Sequence, residues 1–289
     1  MTAFDGFEAL RVNVVHGVAW VTLDHPPINL LDEILFADLS RLVGELEQDS
    51  AIRVLVFQSA DPDFFIAHAD VEWILRFPDA SSEQATKPNP FVQLMERIRR
   101  MPKISIGMVA GIARGGGSEF LLSLDMRFAA RSKALLSQPE GALGIIPGGG
   151  GTQRLAELVG RARALEIVLG CGDIDAEEAA QIGYVNKVFA DDDLLPFVRS
   201  LSERISALSP SVVRLTKEAV DAAKPAPTSG LVAETNLFNQ VVALPEARNS
   251  MAAFLEAGGQ TREMELRLGA RIADLSRQPL VRTRAKRAS

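Results

Sequence analysis

One cysteine, Cys171, stands in 289 residues. A single thiol can neither close an internal disulfide nor build a cysteine cage around zinc, so disulfide-stapled secreted folds and zinc fingers are excluded and a reducing compartment is expected. Histidine is nearly as scarce, at three residues (His16, His25 and His68), and no HExxH pair occurs; a zincin site therefore has no ligands. The glycine-rich spellings GxGxxG and GxxxxGK(S/T) are absent, as is the GxSxG elbow, which removes the main support for dinucleotide binding, P-loop nucleotide binding and an α/β-hydrolase. No apolar run reaches the ~18 residues that a membrane span needs. The N-terminal MTAFDGFEALRV lacks a basic segment followed by an apolar stretch, so a cytoplasmic protein is expected.

Positive charge is in deficit, with 31 basic against 37 acidic residues and a net charge of −6, which argues against nucleic acid as a partner. Five of the cations (Arg277, Arg282, Arg284, Lys286 and Arg287) crowd into Ser276–Ser289, a stretch without acids. With no apolar face to dock, that stretch reads as a solvated, disordered tail.

What is present is a large-core composition, 47% hydrophobic and 24% charged, long enough for one large α/β unit with an appendage. Short β-branched runs alternate with helix-length segments, the pattern of crossover units on a largely parallel sheet. The expected strands are Val12–Val15, Ala19–Leu23, Arg53–Gln58, Ile104–Val109, Met126–Ala130 and Ala134–Ser137. Between the second and third, Leu31, Ile34, Leu35, Leu39, Leu42, Val43 and Leu46 recur at helical spacing, predicting an amphipathic helix over Leu31–Glu47. Residues Pro78–Pro90, rich in Pro, Ser and Ala, read as an exposed loop and a candidate lid. From about Ala162 onward the pattern is helical. A boundary is expected near Ser209–Pro210, dividing a core of residues 1–209 from a helical region of residues 210–289.

Seven of the 22 glycines sit in two clusters, Gly115–Gly117 and Gly148–Gly151, each preceding a helix-forming pattern. Glycine there permits positive φ and close approach to the main chain, and a helix start offers unpaired N–H donors to an oxyanion or phosphate. Two carboxylates accompany them, Glu119 in GGGSEFLL and Glu140 in SQPEG. Taken singly, Glu119 reads equally well as a complement to a helix dipole and Glu140 as a surface loop residue.

Together, in this order and local wording, they resemble the enoyl-CoA hydratase/isomerase (crotonase) family. The similarity runs from about Val12 into the helical C-terminal part. It is strongest in AGIARGGGSE (Ala110–Glu119), SQPE (Ser137–Glu140) and GIIPGGGGTQRL (Gly144–Leu155). The resemblance implies an α/β crotonase-like spiral of ββα units with a helical C-terminal trimerisation region, and assembly into a homotrimer or a homohexamer. It implies an acyl-CoA substrate, with coenzyme A carried on the substrate and neither metal nor other cofactor. Carried over residue by residue, it assigns Glu119 and Glu140 to catalysis, the backbone amides of Ala69 and Gly116 to an oxyanion hole, and Ala67, His68, Asp70, Gly117 and Pro139 to substrate or CoA binding.

The chemistry agrees with this assignment. Hydration of a 2-enoyl thioester needs water attack at C3, a proton at C2, and stabilisation of the negative charge that builds on the thioester oxygen. Two carboxylates and two N–H donors suffice. Members running isomerisation commonly lack one of the pair, so the implied activity is that of an enoyl-CoA hydratase, a lyase. A Δ3,Δ2-enoyl-CoA isomerase or another enolate-forming acyl-CoA lyase is the nearest alternative, and a catalytically silent scaffold is the alternative of another class. Ser118 invites a serine-hydrolase reading, because the Clp proteases share this superfamily's fold, but no histidine stands in a matching context.

Four departures from the family pattern stand out, one of them an extra residue between Asp125 and Glu140, which is expected to re-aim Glu140. His68 occupies the usual glycine of the Ala67–Asp70 segment, so its side chain is expected to project from the loop, and a positive φ there would displace the loop that carries Ala69. Glu72 replaces a common lysine. Ala257-Gly258-Gly259-Gln260 replaces a stretch that often carries lysine and arginine, so the CoA contacts are expected to be rebuilt.

Overall fold

Burial alternates along Val18–Leu23 as the pleat requires, with Val21 and Leu23 fully buried and Trp20 and Thr22 half-buried. This strand is the second of ten in the computed structural model, which describes residues 4–77, 85–222 and 228–277. It pairs antiparallel with β1 (Leu10–Val15) across a two-residue turn, His16-Gly17, where both residues have positive φ, 50° and 74°. That is the turn whose twist suits a hairpin.

From β2 (Val18–Leu23) the large sheet grows by parallel addition of β3 (Val54–Ser59), β5 (Ile104–Val109), β7 (Met126–Ala130) and β10 (Lys187–Phe189), in the order β1-β2-β3-β5-β7-β10. A second, four-stranded sheet has the order β4 (Phe64–Ile66), β6 (Ile112–Arg114), β8 (Leu135–Ser137) and β9 (Ile174–Asp175). Each strand of the large sheet from β3 to β7 is followed at once by a strand of the small one. Each turn of the chain thus adds one strand to both sheets, which is the spiral of ββα units that the sequence leads one to expect.

Helix α1 (Glu33–Gln48) starts at Asp32, whose side chain accepts from Leu35 N at 2.9 Å. Its buried stripe is Leu35, Leu39, Leu42, Val43 and Leu46. The expected stripe was two residues longer: Leu31 lies ahead of the helix in a bridge to Ala69, and Ile34 is exposed. Four strands escaped the sequence reading. β4, β6 and β9 span three residues or fewer, too short for any periodicity, and β10 lies inside the stretch read as helical.

After α2 (Val71–Leu75) and α3 (Pro90–Arg100) come α4 (Gly116–Leu122), a 3-10 helix at Pro139–Leu143, α5 (Gly151–Val159), α6 (Arg161–Gly170) and α7 (Ala176–Gln181). The rest is helical: α8 (Asp191–Ser206), α9 (Pro210–Asp221), α10 (Thr228–Val242), α11 (Pro245–Glu256) and α12 (Arg262–Arg277). The last three lean back over the first half of the chain. Phe238, Val242, Met251, Phe254, Met264 and Leu268 form one apolar cluster with Val71, Ile74, Leu143 and Ile145. Among the described residues no helix is long and apolar enough to cross a membrane. Part of the candidate lid, residues 78–84, and the basic tail from 278 onward lie outside the described residues.

Candidate active site

Strands β4, β6 and β8 are parallel neighbours, and the register sets Ser137 beside Arg114 and Ala113 beside Ile66. The residues that follow each strand therefore emerge side by side at the carboxyl end of one sheet, where α/β folds place their ligands. They are Ala67–Ala69, Gly115–Glu119 and Gln138–Glu140. Segments some 70 residues apart in the chain meet because the spiral stacks them.

Gly115 turns the chain from β6 into α4 with φ 46° and ψ −121°, and a Cβ on it would lie 2.9 Å from Glu140 Oε1. Only glycine fits there. Gly117, in the first turn of α4, presses against β4, where an added Cβ would stand 2.2 Å from Ile66 O. This contact draws the helix start against the Ala67–Ala69 loop. Among the described residues no acceptor takes the N–H of Ala69 or of Gly116, and both residues line one small cavity of about 40 Å3, together with His68, Pro139 and Glu140.

The cavity's far wall is apolar: Val71 and Ile74 from α2, Leu143 and Ile145, and Phe254 and Leu268 from α11 and α12. Ala67, Asp70 and Gly117 do not line it. Ala67 O accepts from Arg114 N at 3.2 Å, and Asp70 caps α2 by accepting from Glu72 N at 2.9 Å. Their contribution is to shape the loop. Glu72 itself is exposed.

Glu140 is buried, on the first turn of the 3-10 helix, and the Gln138 amide donates to both of its oxygens at 3.2 Å. Burial, reinforced by the charge of Glu119, pushes its carboxyl well above the usual range. Glu119, also buried, is turned toward the second glycine cluster and does not line the cavity. Its Oε1 accepts from Gly149 N at 2.7 Å and from Gly151 N at 2.8 Å. Burial and the neighbouring Glu234 push its pKa up to about 8, against the pull of those two amides and Arg154.

Sequence reasoning missed Glu234, a third buried carboxylate. From α10 it accepts from Gly150 N at 2.5 Å and from Thr152 N at 2.9 Å, so the amides of Gly149–Thr152 alternate between two glutamates. Burial raises its pKa as well. Arg154 balances the cluster, donating to Gly149 O at 3.2 Å and pairing with Glu96 at 2.7 Å. No local signal marks Glu234, since its partners lie more than 80 residues back.

Ser118 has no base beside it. It is fully buried, and its Oγ meets the hydroxyl of Tyr184, whose pKa burial pushes up to about 12, and the amide of Gln138. The φ of His68 is not in the left-handed region, so the loop accommodates it, and its ring projects from the loop into a buried position.

Known proteins are similar to this chain over most of its length. A Clostridium acetobutylicum short-chain-enoyl-CoA hydratase is 31% identical over 242 residues, covering 83% of this chain and 91% of that protein. A crotonyl-CoA hydratase of Syntrophomonas wolfei is 34% identical over 231 residues, covering 79% and 87%. The solved structure of a candidate enoyl-CoA hydratase from Streptomyces avermitilis superposes with a TM-score of 0.86 at 37% identity, over 94% of this chain and 100% of that one. The family model described as enoyl-CoA hydratase/isomerase matches residues 13–262, and the chain, with its two spiralling sheets and C-terminal helices, belongs to that family.

Proposed function

We propose that the protein hydrates 2-enoyl-CoA thioesters reversibly to 3-hydroxyacyl-CoA, with Glu119 and Glu140 as acid and base and the amides of Ala69 and Gly116 holding the thioester oxygen. The observation that carries this reading is that two buried carboxyls, both held above the usual carboxylate range, follow neighbouring strands of one sheet at the end where two N–H donors stand unengaged.

The roles follow from the surroundings. Two amides favour the ionised form of Glu119, so it is the member of the pair that releases its proton more readily and takes one from the attacking water. Glu140, on the cavity wall and held above the usual range by burial, supplies the proton to C2. The enolate oxygen meets donors already in place, each worth roughly 10²–10³ in rate.

A cavity of about 40 Å3 has room for little more than one water. Admission of an acyl chain therefore requires that α2 or α11–α12 move outward. Names of relatives support a short-chain enoyl substrate, and an apolar wall of Val71, Ile74, Phe254 and Leu268 suits one.

A panel of acyl-CoA thioesters with product identification tests the proposal. Conversion of 2-enoyl-CoA to 3-hydroxyacyl-CoA is expected. Migration of a Δ3 double bond without hydration would assign an isomerase instead. Absence of thermal stabilisation by any acyl-CoA would leave the scaffold reading, because a ligand at about 100 times its dissociation constant stabilises by about 2.7 kcal/mol.

A further inference from the structure

Two of the departures from the family pattern, His68 and Gln260, meet at one carboxylate oxygen of Glu265. His68, in the loop that carries Ala69, is buried, and both of its ring nitrogens face oxygen: Nδ1 is 2.8 Å from Ala69 O, and Nε2 is 3.1 Å from Glu265 Oε1 on α12. The second approach is that of an ion pair rather than an aligned hydrogen bond. Two acceptors at these distances call for a proton on each nitrogen.

Gln260 completes the link. It sits at φ 65°, unusual for a residue with a Cβ, with every polar group but its own carbonyl engaged. Its Oε1 accepts from Val71 N at 2.5 Å, its Nε2 donates to Asp70 Oδ1 at 2.9 Å, and its own N–H donates to Glu265 Oε1 at 2.8 Å. Glu265, fully buried, is anchored from beneath by Arg114, which donates to Glu265 O at 2.8 Å and forms a two-pronged pair with Asp173 at 2.8 and 2.7 Å.

Two backbone groups, Ala69 O and Val71 N, and the Asp70 side chain between them are thus held by side chains that face one carboxylate at the start of α12. The other ties of the loop, Leu31 N to His68 O at 2.9 Å and Asp70 N to Leu31 O at 3.0 Å, hold it from the opposite side. Between these two sets the Ala69 N–H has a fixed direction.

We propose that His68, Gln260 and Glu265 form a clamp through which α12 sets the position of the Ala69 N–H, making His68 and Gln260 positioning residues for the oxyanion hole. The inference rests on the acyl-CoA reading above. The charges agree with it: burial draws the His68 pKa down, but the facing Glu265 outweighs burial and holds it above its ordinary value. Burial raises that of Glu265 while His68, Gln260 N and Arg114 pull it below. Two of its three members, His68 and Gln260, lie in the segments where the sequence departs from the family pattern.

The test uses His68→Leu, His68→Gln and Gln260→Ala in the full-length protein, each checked for folding by thermal melting. Two quantities are read: kcat and KM for hydration, and the infrared C=O stretch of a bound, isotope-labelled saturated acyl-CoA, which reports polarisation by the oxyanion donors. His68→Leu is expected to lower kcat by about 10–10²-fold, as misplacement of a catalytic group does, with KM within about threefold and the C=O band displaced toward that of free thioester. His68→Gln should recover part of both, and Gln260→Ala, which leaves the buried charges intact, should show the same signature more weakly. If His68→Leu does not fold, Gln260→Ala decides. Folded variants with wild-type kcat and an unmoved band would overturn the clamp. A shifted band in a wild type that hydrates nothing overturns the hydratase reading alone, and a wild type that binds no acyl-CoA overturns both.

Discussion

At Glu119 two influences oppose each other. Burial and Glu234 favour the neutral acid, while Gly149 N, Gly151 N and Arg154 favour the anion, and the balance leaves a pKa of about 8. Such a group exchanges a proton readily near neutrality, which general acid–base catalysis requires. We expect Glu119→Gln and Glu140→Gln each to lower hydration by about 10²–10⁴-fold, and the double variant to lose far less than the product, because groups acting as a unit are non-additive. Steady-state kinetics on one enoyl-CoA measures this. Retention of near wild-type hydration by Glu119→Gln, with loss in Glu140→Gln, would favour a one-base isomerase. Glu234→Gln removes a neighbouring negative charge, so the pKa of Glu119 should fall and the ascending limb of the kcat/KM profile should move to lower pH. An unmoved limb would mean that Glu119 is not the titrating group.

Among the elements, α11 and α12 decide what the site admits. Phe254 is fully buried, packs 5.9 Å from the His68 ring, centroid to centroid, and faces the cavity. Phe254→Ala should cost about 3–5 kcal/mol of stability, the usual range for such a truncation. It should also shift the ratio of kcat/KM values toward longer acyl chains, and a preference unchanged across a C4–C10 series would show that the acyl chain runs elsewhere. The glycine-rich turn before α5 is an element-scale device as well. Four successive amides there meet two carboxylates, two on Glu119 and two on Glu234, so α4 and α10 are both tied to the start of α5 by hydrogen bonds as well as by packing.

Over the whole molecule, two consequences can be measured. A carboxyl raised from 4.5 to about 8 on folding is ionised in the unfolded chain but protonated in the native one between those values. The native state then binds more protons, so stability falls as pH rises through that window. His68, whose folded pKa is also raised, contributes stability that is lost as pH rises through it. Thermal melts should therefore decline from pH 4.5 toward 8, and the decline should be shallower in Glu119→Gln; an equal slope would place the linkage elsewhere. We further propose that the helices after about Pro210 carry the oligomer contacts. Leu231, Phe238 and Val242 are satisfied within the protomer, but Val212, Leu215, Val220 and Leu237 are exposed. Light scattering should give three or six copies, and a monomer at micromolar concentration would refute this.

The sequence by itself singled out Glu119 and Glu140 only through resemblance to a family, but it determined the longer strands, the stripe of α1 and the two glycine turns, because each depends on backbone geometry within a few residues. Gly115 is legible for that reason: its φ is a local demand. The tertiary structure alone decided the rest. Glu234 reaches Gly150 from 84 residues away, Gln260 reaches Val71 from 189, and the wall that narrows the cavity comes from helices at the far end of the chain. The three-residue strands β4 and β6, which bring the candidate site segments together, have no period of their own and exist because their neighbours in the small sheet supply the hydrogen bonds. His68 shows the difference most plainly: as a letter it is a misfit in a glycine position, and only the burial of Glu265 opposite it makes it a part of the site.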